Sequence, residues 1–170
     1  NLEVGQPRSY ALPLSCRVAQ LPKMSNRMTE IARLQTATEA QRASIIAPLE
    51  AYSRDQGFFW NPTHVALALQ DGPTIQGGLL GFIQWDWFHI ETLGVAASLR
   101  GQGWGRKLIE AAQDIACKEE CQGMWVSTFT FQAPGFYEQL GFEKCGEITD
   151  HPIGQSRLFY TRRLEHSHAA

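Results

Sequence analysis

Cysteine, charge of one sign and long apolar runs are all scarce in this chain. Only four cysteines, Cys16, Cys117, Cys121 and Cys145, occur in 170 residues. Cys117 and Cys121 stand one helical turn apart, but no second His/Cys pair completes a zinc-ligand spacing, so reduced thiols and no metal are expected. No apolar run approaches the roughly 20 residues of a membrane span. The first residues have no compact apolar stretch behind a basic start, which speaks against a signal peptide and leaves a cytoplasmic location as the expectation. Fifteen Lys and Arg against 17 Asp and Glu give a net charge of −2, without the broadly basic footprint of a nucleic-acid binder. Neither nucleic acid nor a membrane is therefore expected as a partner.

What is present reads as a globular chain, with 44% apolar and 19% charged residues and a length suited to one core. Residues 1–27, interrupted by Pro7, Pro13 and Pro22, read as an N-terminal extension with a short strand around Tyr10 to Val18. Residues 28–165 read as a single domain and 166–170 as a tail. Thr29 to Gln35 reads as a strand. Thr38 and Gln41 have capping-box spacing and open a helix to about Arg54, with Ile45, Ile46, Leu49 and Tyr52 on one face. Pro48 predicts a break of that helix into two. The rings of Phe58, Phe59 and Trp60 are read as core anchors, with a pocket entrance as the other reading. Strands follow at His64–Gln70, at Gly78–Trp87 with Trp85 and Trp87 on one face, and at His89–Val95.

The densest signal is Leu99-Arg100-Gly101-Gln102-Gly103-Trp104-Gly105-Arg106-Lys107-Leu108. Alternate glycines can turn main-chain N–H groups toward an anion, with a helix N-terminus behind them and three basic side chains around them. A P-loop needs Ser or Thr after Gly-Lys, and here Gly105 is followed by Arg106-Lys107. The dinucleotide pattern G-x-G-x-x-G fails because its last glycine falls on Arg106. What remains is R-x-x-G-x-G, a cradle for a small polyanion. Trp104, Leu108, Ala112, Ile115 and Ala116 then recur at helical spacing, and Met124 to Thr128 reads as a strand parallel to the one before the loop. That βαβ unit puts the loop at the carboxyl end of a strand. Phe142–Ile148 and Arg157–Leu164 read as a closing hairpin.

R-x-x-G-x-G at Arg100–Gly105 resembles the acetyl-CoA pyrophosphate loop of the GNAT superfamily of N-acetyltransferases. A second stretch fits the same family: Ala133, Phe136-Tyr137 and Gly141-Phe142 have its spacing. The resemblance covers roughly residues 29–164 and implies an α/β fold: a mixed, mostly antiparallel sheet with helices on both faces and a βαβ cofactor unit. It implies transfer of an acetyl group from acetyl-CoA to an amine by direct attack in a ternary complex, without a metal. Arg100, Gly101, Gln102, Gly103, Trp104, Gly105 and Arg106 would hold the diphosphate, and the backbone of Leu93 and Val95 the pantetheine arm. Tyr137 would protonate the leaving thiolate. Glu91 or His89 would deprotonate the amine; the two share a strand face if no bulge intervenes. Many members carry Asn seven residues before the Tyr, where this chain has Thr130, with Gln132 as an alternative. Trp85, Trp87, Phe88, Phe59 and Trp60 are candidates for an acceptor pocket suited to an apolar or cationic amine.

The acceptor stays open among small-molecule, peptide and protein amines, and a homodimer stays open as well. A non-catalytic acyl-CoA-binding module on the same scaffold is the rival reading. An interaction protein displaying its aromatics is another.

Overall fold

Alternating apolar residues build most of this molecule, seen in a computed structural model that describes residues 29–165. The expected extension over 1–27, its strand near Tyr10 and the tail 166–170 lie outside those residues. Contacts along the chain divide it between Arg42 and Ala43, inside the first helix.

Residues 29–35, expected as a strand, have no regular structure, and Ile31 and Leu34 are exposed. Alternation there finds no partner strand among the described residues. The capping box forms as its spacing requires. Thr38 N–H donates to Gln41 Oε1 at 2.9 Å, and Gln41 N–H to Thr38 Oγ1 at 3.2 Å. Helix α1, Glu39–Asp55, then runs unbroken through Pro48, and none of its residues is buried. The expected break is absent because proline's fixed φ is itself helical, and the loss of one donor removes one rung of the ladder rather than the helix.

Six strands follow: β1 Thr63–Asp71, β2 Thr74–Gln84, β3 Trp87–Val95, β4 Gly123–Phe129, β5 Glu143–Thr149 and β6 Ser156–Arg163. They form one sheet in the order β1-β2-β3-β4-β6-β5. All pairs are antiparallel except β3 with β4. The expected second strand ends early. Gln84 pairs with Trp87, so Trp85 and Asp86 make the hairpin tip, with Trp85 at a left-handed φ of 55°. The Trp85 indole N–H donates to the Phe59 carbonyl at 3.0 Å, and its ring meets Phe58 and Trp60 edge-on. These contacts hold the turn. Phe58, Phe59 and Trp60 stay exposed and are not core anchors.

Helix α2, Trp104–Lys118, buries Leu108, Ile109, Ala112 and Ala116, one stripe at helical spacing. These pack with Phe88, Ile90, Met124, Val126, Leu158 and Tyr160 of the sheet and with Tyr137 of the short helix α3, Pro134–Glu138. Cys121 is fully buried in this core, and burial pushes its thiol up, which makes it an unreactive filler.

Candidate active site

The site exists because β3 and β4 part company. Their pairing covers only Trp87–Ile90 against Gly123–Val126. Residues 91–95 of β3 and 127–129 of β4 continue without each other, so strand groups that a sheet normally satisfies are left to find other partners. A cleft of about 920 Å³ opens at this point. Ile90, Glu91, Thr92, Leu93, Gly94 and Val95 line it from β3, and Val126, Ser127, Thr128 and Phe129 from β4. Strand alternation makes the lining two-sided. Val126 pairs with buried Tyr160, against which Tyr137 stacks; Phe129 pairs with Arg157 on the opposite face.

One end of the cleft is the glycine loop. A 3-10 turn at Ala97–Leu99 leads into it, and Arg100, Gly101, Gly103, Trp104, Gly105 and Arg106 face the cleft. Gly101 and Gly103 have φ of 74° and 82°, left-handed values that a side chain would oppose. No side chain caps α2. Its first main-chain bond runs from Lys107 N–H to the Gly103 carbonyl at 3.1 Å. The amides of Trp104, Gly105 and Arg106 precede that bond and have no acceptor among the described residues. Donors of this kind, beside two guanidinium groups at the positive end of a helix, fit a diphosphate. Part of Arg100 is already committed, since its Nε–H donates to the Val95 carbonyl at 3.1 Å. Gln102 does not line the cleft; its amide braces the loop through a 2.8 Å bond to the Ser98 carbonyl.

Tyr137 enters from α3. It is nearly buried among Phe136, Phe142 and Tyr160 yet lines the cleft. Burial pushes its phenol above the ordinary value, so the proton is retained throughout the physiological range. Tyr160 supports α3 from below, its hydroxyl donating to Glu138 Oε1 at 2.7 Å.

The two base candidates are separated by a bulge. Leu80 pairs with Thr92 and Gly81 with Ile90, so Glu91 is an extra residue in β3. Glu91 faces the cleft, whereas His89 does not line it. His89 stacks on Trp125 at 3.6 Å with the rings 6° apart and meets the edge of Phe82. Its Nδ1 is buried without a partner among the described residues. The shared strand face expected in the absence of a bulge is thus not the arrangement found.

Leu93 and Val95 line the cleft as expected for backbone that meets a ligand arm. Thr130 does not. Its hydroxyl donates to Gln155 Oε1 at 2.6 Å and accepts from Ser156 N–H at 3.0 Å, tying β4 to the β5–β6 connection. Gln132 does line the cleft, with its Oε1 accepting from Thr128 Oγ1 and Phe129 N–H. Trp85, Trp87, Phe59 and Trp60 are absent from the lining; they gather around the β2–β3 tip, at the opposite end of β3 from the loop. Ser127 and Arg157 are among the lining residues that escape sequence reasoning. Arg157 Nε–H and Nη2–H donate to Ser127 Oγ at 3.2 and 2.7 Å. The local sequence gives no sign of a pair whose members are 30 positions apart. The closing strand also carries Arg162 and Arg163, so charge alone does not single out Arg157.

Known proteins share this architecture. The model of the acetyltransferase (GNAT) family matches residues 28–142. A blasticidin-S acetyltransferase of Streptomyces morookaense is 34% identical over 148 residues, which is 81% of this chain and 100% of that protein. The crystal structure of an acetyltransferase from Bacillus cereus superposes with a TM-score of 0.70 at 28% identity, covering 78% of this chain and 98% of that one. A Bacillus anthracis acetyltransferase structure in complex with acetyl coenzyme A shares the fold, with a TM-score of 0.55 at 19% identity over 64% of this chain and 67% of that one.

Proposed function

Since the chain belongs to the acetyltransferase (GNAT) family and is an acyl-CoA-dependent N-acyltransferase, we propose that it moves an acetyl group from acetyl-CoA to an amine by direct attack in a ternary complex. One observation carries this reading: the unpaired ends of β3 and β4, the uncapped amides of α2, Glu91 and Tyr137 all line a single cleft. Acetyl-CoA supplies an acyl group already activated as a thioester.

The chain's own residues have five tasks. The amides at Gly103–Arg106, with Arg100 and Arg106, bind the diphosphate. The free edge of residues 91–95 pairs with the amide-bearing arm as a neighbouring strand would. Glu91 takes the proton that an ammonium with a pKa near 10 must lose before it can attack. A backbone N–H near Val95 meets the negative charge that develops on the acyl oxygen. Tyr137 gives its proton to the sulfur as the carbon–sulfur bond breaks and the carbon–nitrogen bond forms. The products are an acetamide and a free thiol; the second proton shed by the attacking nitrogen restores the Tyr137 phenol, and the proton left on Glu91 passes to solvent. The acceptor is proposed to be a small amine, of which the antibiotic that names the Streptomyces relative is one example.

Thiol release from acetyl-CoA with a set of amines that includes blasticidin S tests the reading. Turnover is expected with at least one amine. Tyr137→Phe keeps the ring packing and is expected to lower kcat by about 10²–10⁴-fold while acetyl-CoA affinity holds. Wild-type activity in that variant removes Tyr137 from the reaction. Binding of acetyl-CoA without turnover of any amine turns the protein into a binding module.

A further inference from the structure

Arg157 is the one guanidinium that the cleft holds away from the glycine loop. It stands half-buried on β6, on the sheet face opposite Tyr137, beside Ser127 and Phe129. Its Nε–Nη2 edge is anchored on Ser127 Oγ. Its central carbon lies 5.6 Å from the ring centroids of both Phe129 and Phe159. No carboxylate among the described residues forms an ion pair with it; the single such pair is Lys144–Glu147, on the exposed β5. The outer Nη1–Nη2 edge therefore presents two parallel donors with no acceptor among the described residues. A half-buried charge held this rigidly without a counter-charge is costly unless a ligand supplies one.

Glu91 lines the same cleft, and Glu91 and Arg157 lie close enough to His89 to act on it with opposite sign. An acidic and a basic group thus line one cleft. We infer that Arg157 receives a carboxylate carried by the acceptor, so that the acceptor is an amino acid-like molecule whose ammonium faces Glu91. The planar fork of a guanidinium matches a carboxylate in two parallel hydrogen bonds. Ser127 is a positioning residue, since it holds the fork by its inner edge. This inference rests on the acetyl-transfer reading and adds the class of acceptor to it.

The test compares ω-amino carboxylates of two to six carbons with their carboxamides, by thiol release from acetyl-CoA. The enzymes are the wild type, Arg157→Gln, Arg157→Lys and Ser127→Ala. For at least one chain length the wild type is expected to favour the carboxylate about 10–100-fold in kcat/KM, the range for a charge-assisted pair. Arg157→Gln should bring that ratio close to one. Arg157→Lys should keep only part of it, having the charge without the fork, and Ser127→Ala should fall between wild type and Arg157→Gln. If Arg157→Gln fails to melt cooperatively, the other two variants carry the comparison. Equal rates on carboxylates and carboxamides in the wild type overturn the inference and leave acetyl transfer standing. So does an Arg157 variant whose acetyl-CoA affinity, rather than its carboxylate preference, is lost. Absence of thiol release with every amine overturns the transfer reading itself.

Discussion

Single side chains here are defined by what surrounds them, and His89 illustrates it. Its ring is clamped between Trp125 and Phe82, and burial lowers its pKa; Glu91 opposes the shift and Arg157 adds to it. Because the folded chain binds this proton less readily than the unfolded one, neutral His89 contributes stability above its ordinary value of 6.5. That contribution is lost as pH falls toward the lowered folded value. The melting temperature should therefore drop on acidification below about pH 6.5, and it should drop less steeply in His89→Phe, which keeps the ring stack. Melting curves of both proteins between neutral pH and pH 5 check this. Parallel curves would show that the ring titrates as it does in the unfolded chain. Tyr137 is the opposite case: burial raises its pKa and protects the proton that the proposed reaction would use.

At the scale of elements, the loop and α2 act together. Gly103 is the N-cap of α2 at φ 82°, and a Cβ built there meets no atom within 4 Å. Space is available, so the penalty for Gly103→Ala is conformational, about 1–2 kcal/mol for a left-handed residue. The same substitution pulls the amides of the first turn out of line. A lower melting temperature and acetyl-CoA binding weakened about 10-fold are expected together, the second being of the size of one charge-assisted hydrogen bond. Calorimetric titration and thermal melting separate the two effects. Unaltered affinity would show that the loop's main chain does not grip the cofactor. Gly105 is constrained differently, because a Cβ there would come 3.1 Å from the Phe136 ring, where α2 meets α3. The bulge at Glu91 is the other decisive local feature. One extra residue turns Glu91 into the cleft and leaves His89 against the aromatic wall.

For the whole molecule, a ligand that binds only the folded state raises its stability. At a concentration 100 times the Kd the gain is about 2.7 kcal/mol, which for a chain of this size means a rise in melting temperature of roughly 5–10 °C. Acetyl-CoA should produce that shift, and Gly103→Ala should reduce it. A flat response to acetyl-CoA would instead favour a protein whose exposed aromatics are its working surface. Much of this global arrangement was legible beforehand. The meander, the parallel β3–β4 pair and the closing hairpin follow from alternation and turn residues, and α2 follows from its apolar stripe. The break expected at Pro48 failed because proline's own φ suits a helix, and the strand expected at 29–35 failed for want of a partner among the described residues. Local pattern states a preference, and a strand forms only where a second edge meets it.

The sequence alone determined the family, the loop that suits a diphosphate and the phenol at Tyr137, because each is written in a few consecutive residues whose backbone needs are local. Only the tertiary structure decided which side chains share the cleft. It brought Arg157 and Ser127 together from distant strands, turned Glu91 inward through a bulge, tied Thr130 to Gln155 and gathered Trp85 with Phe58 and Trp60 at the far hairpin tip. Register, splay and twist are properties of strands in pairs, and no stretch of chain read by itself contains them.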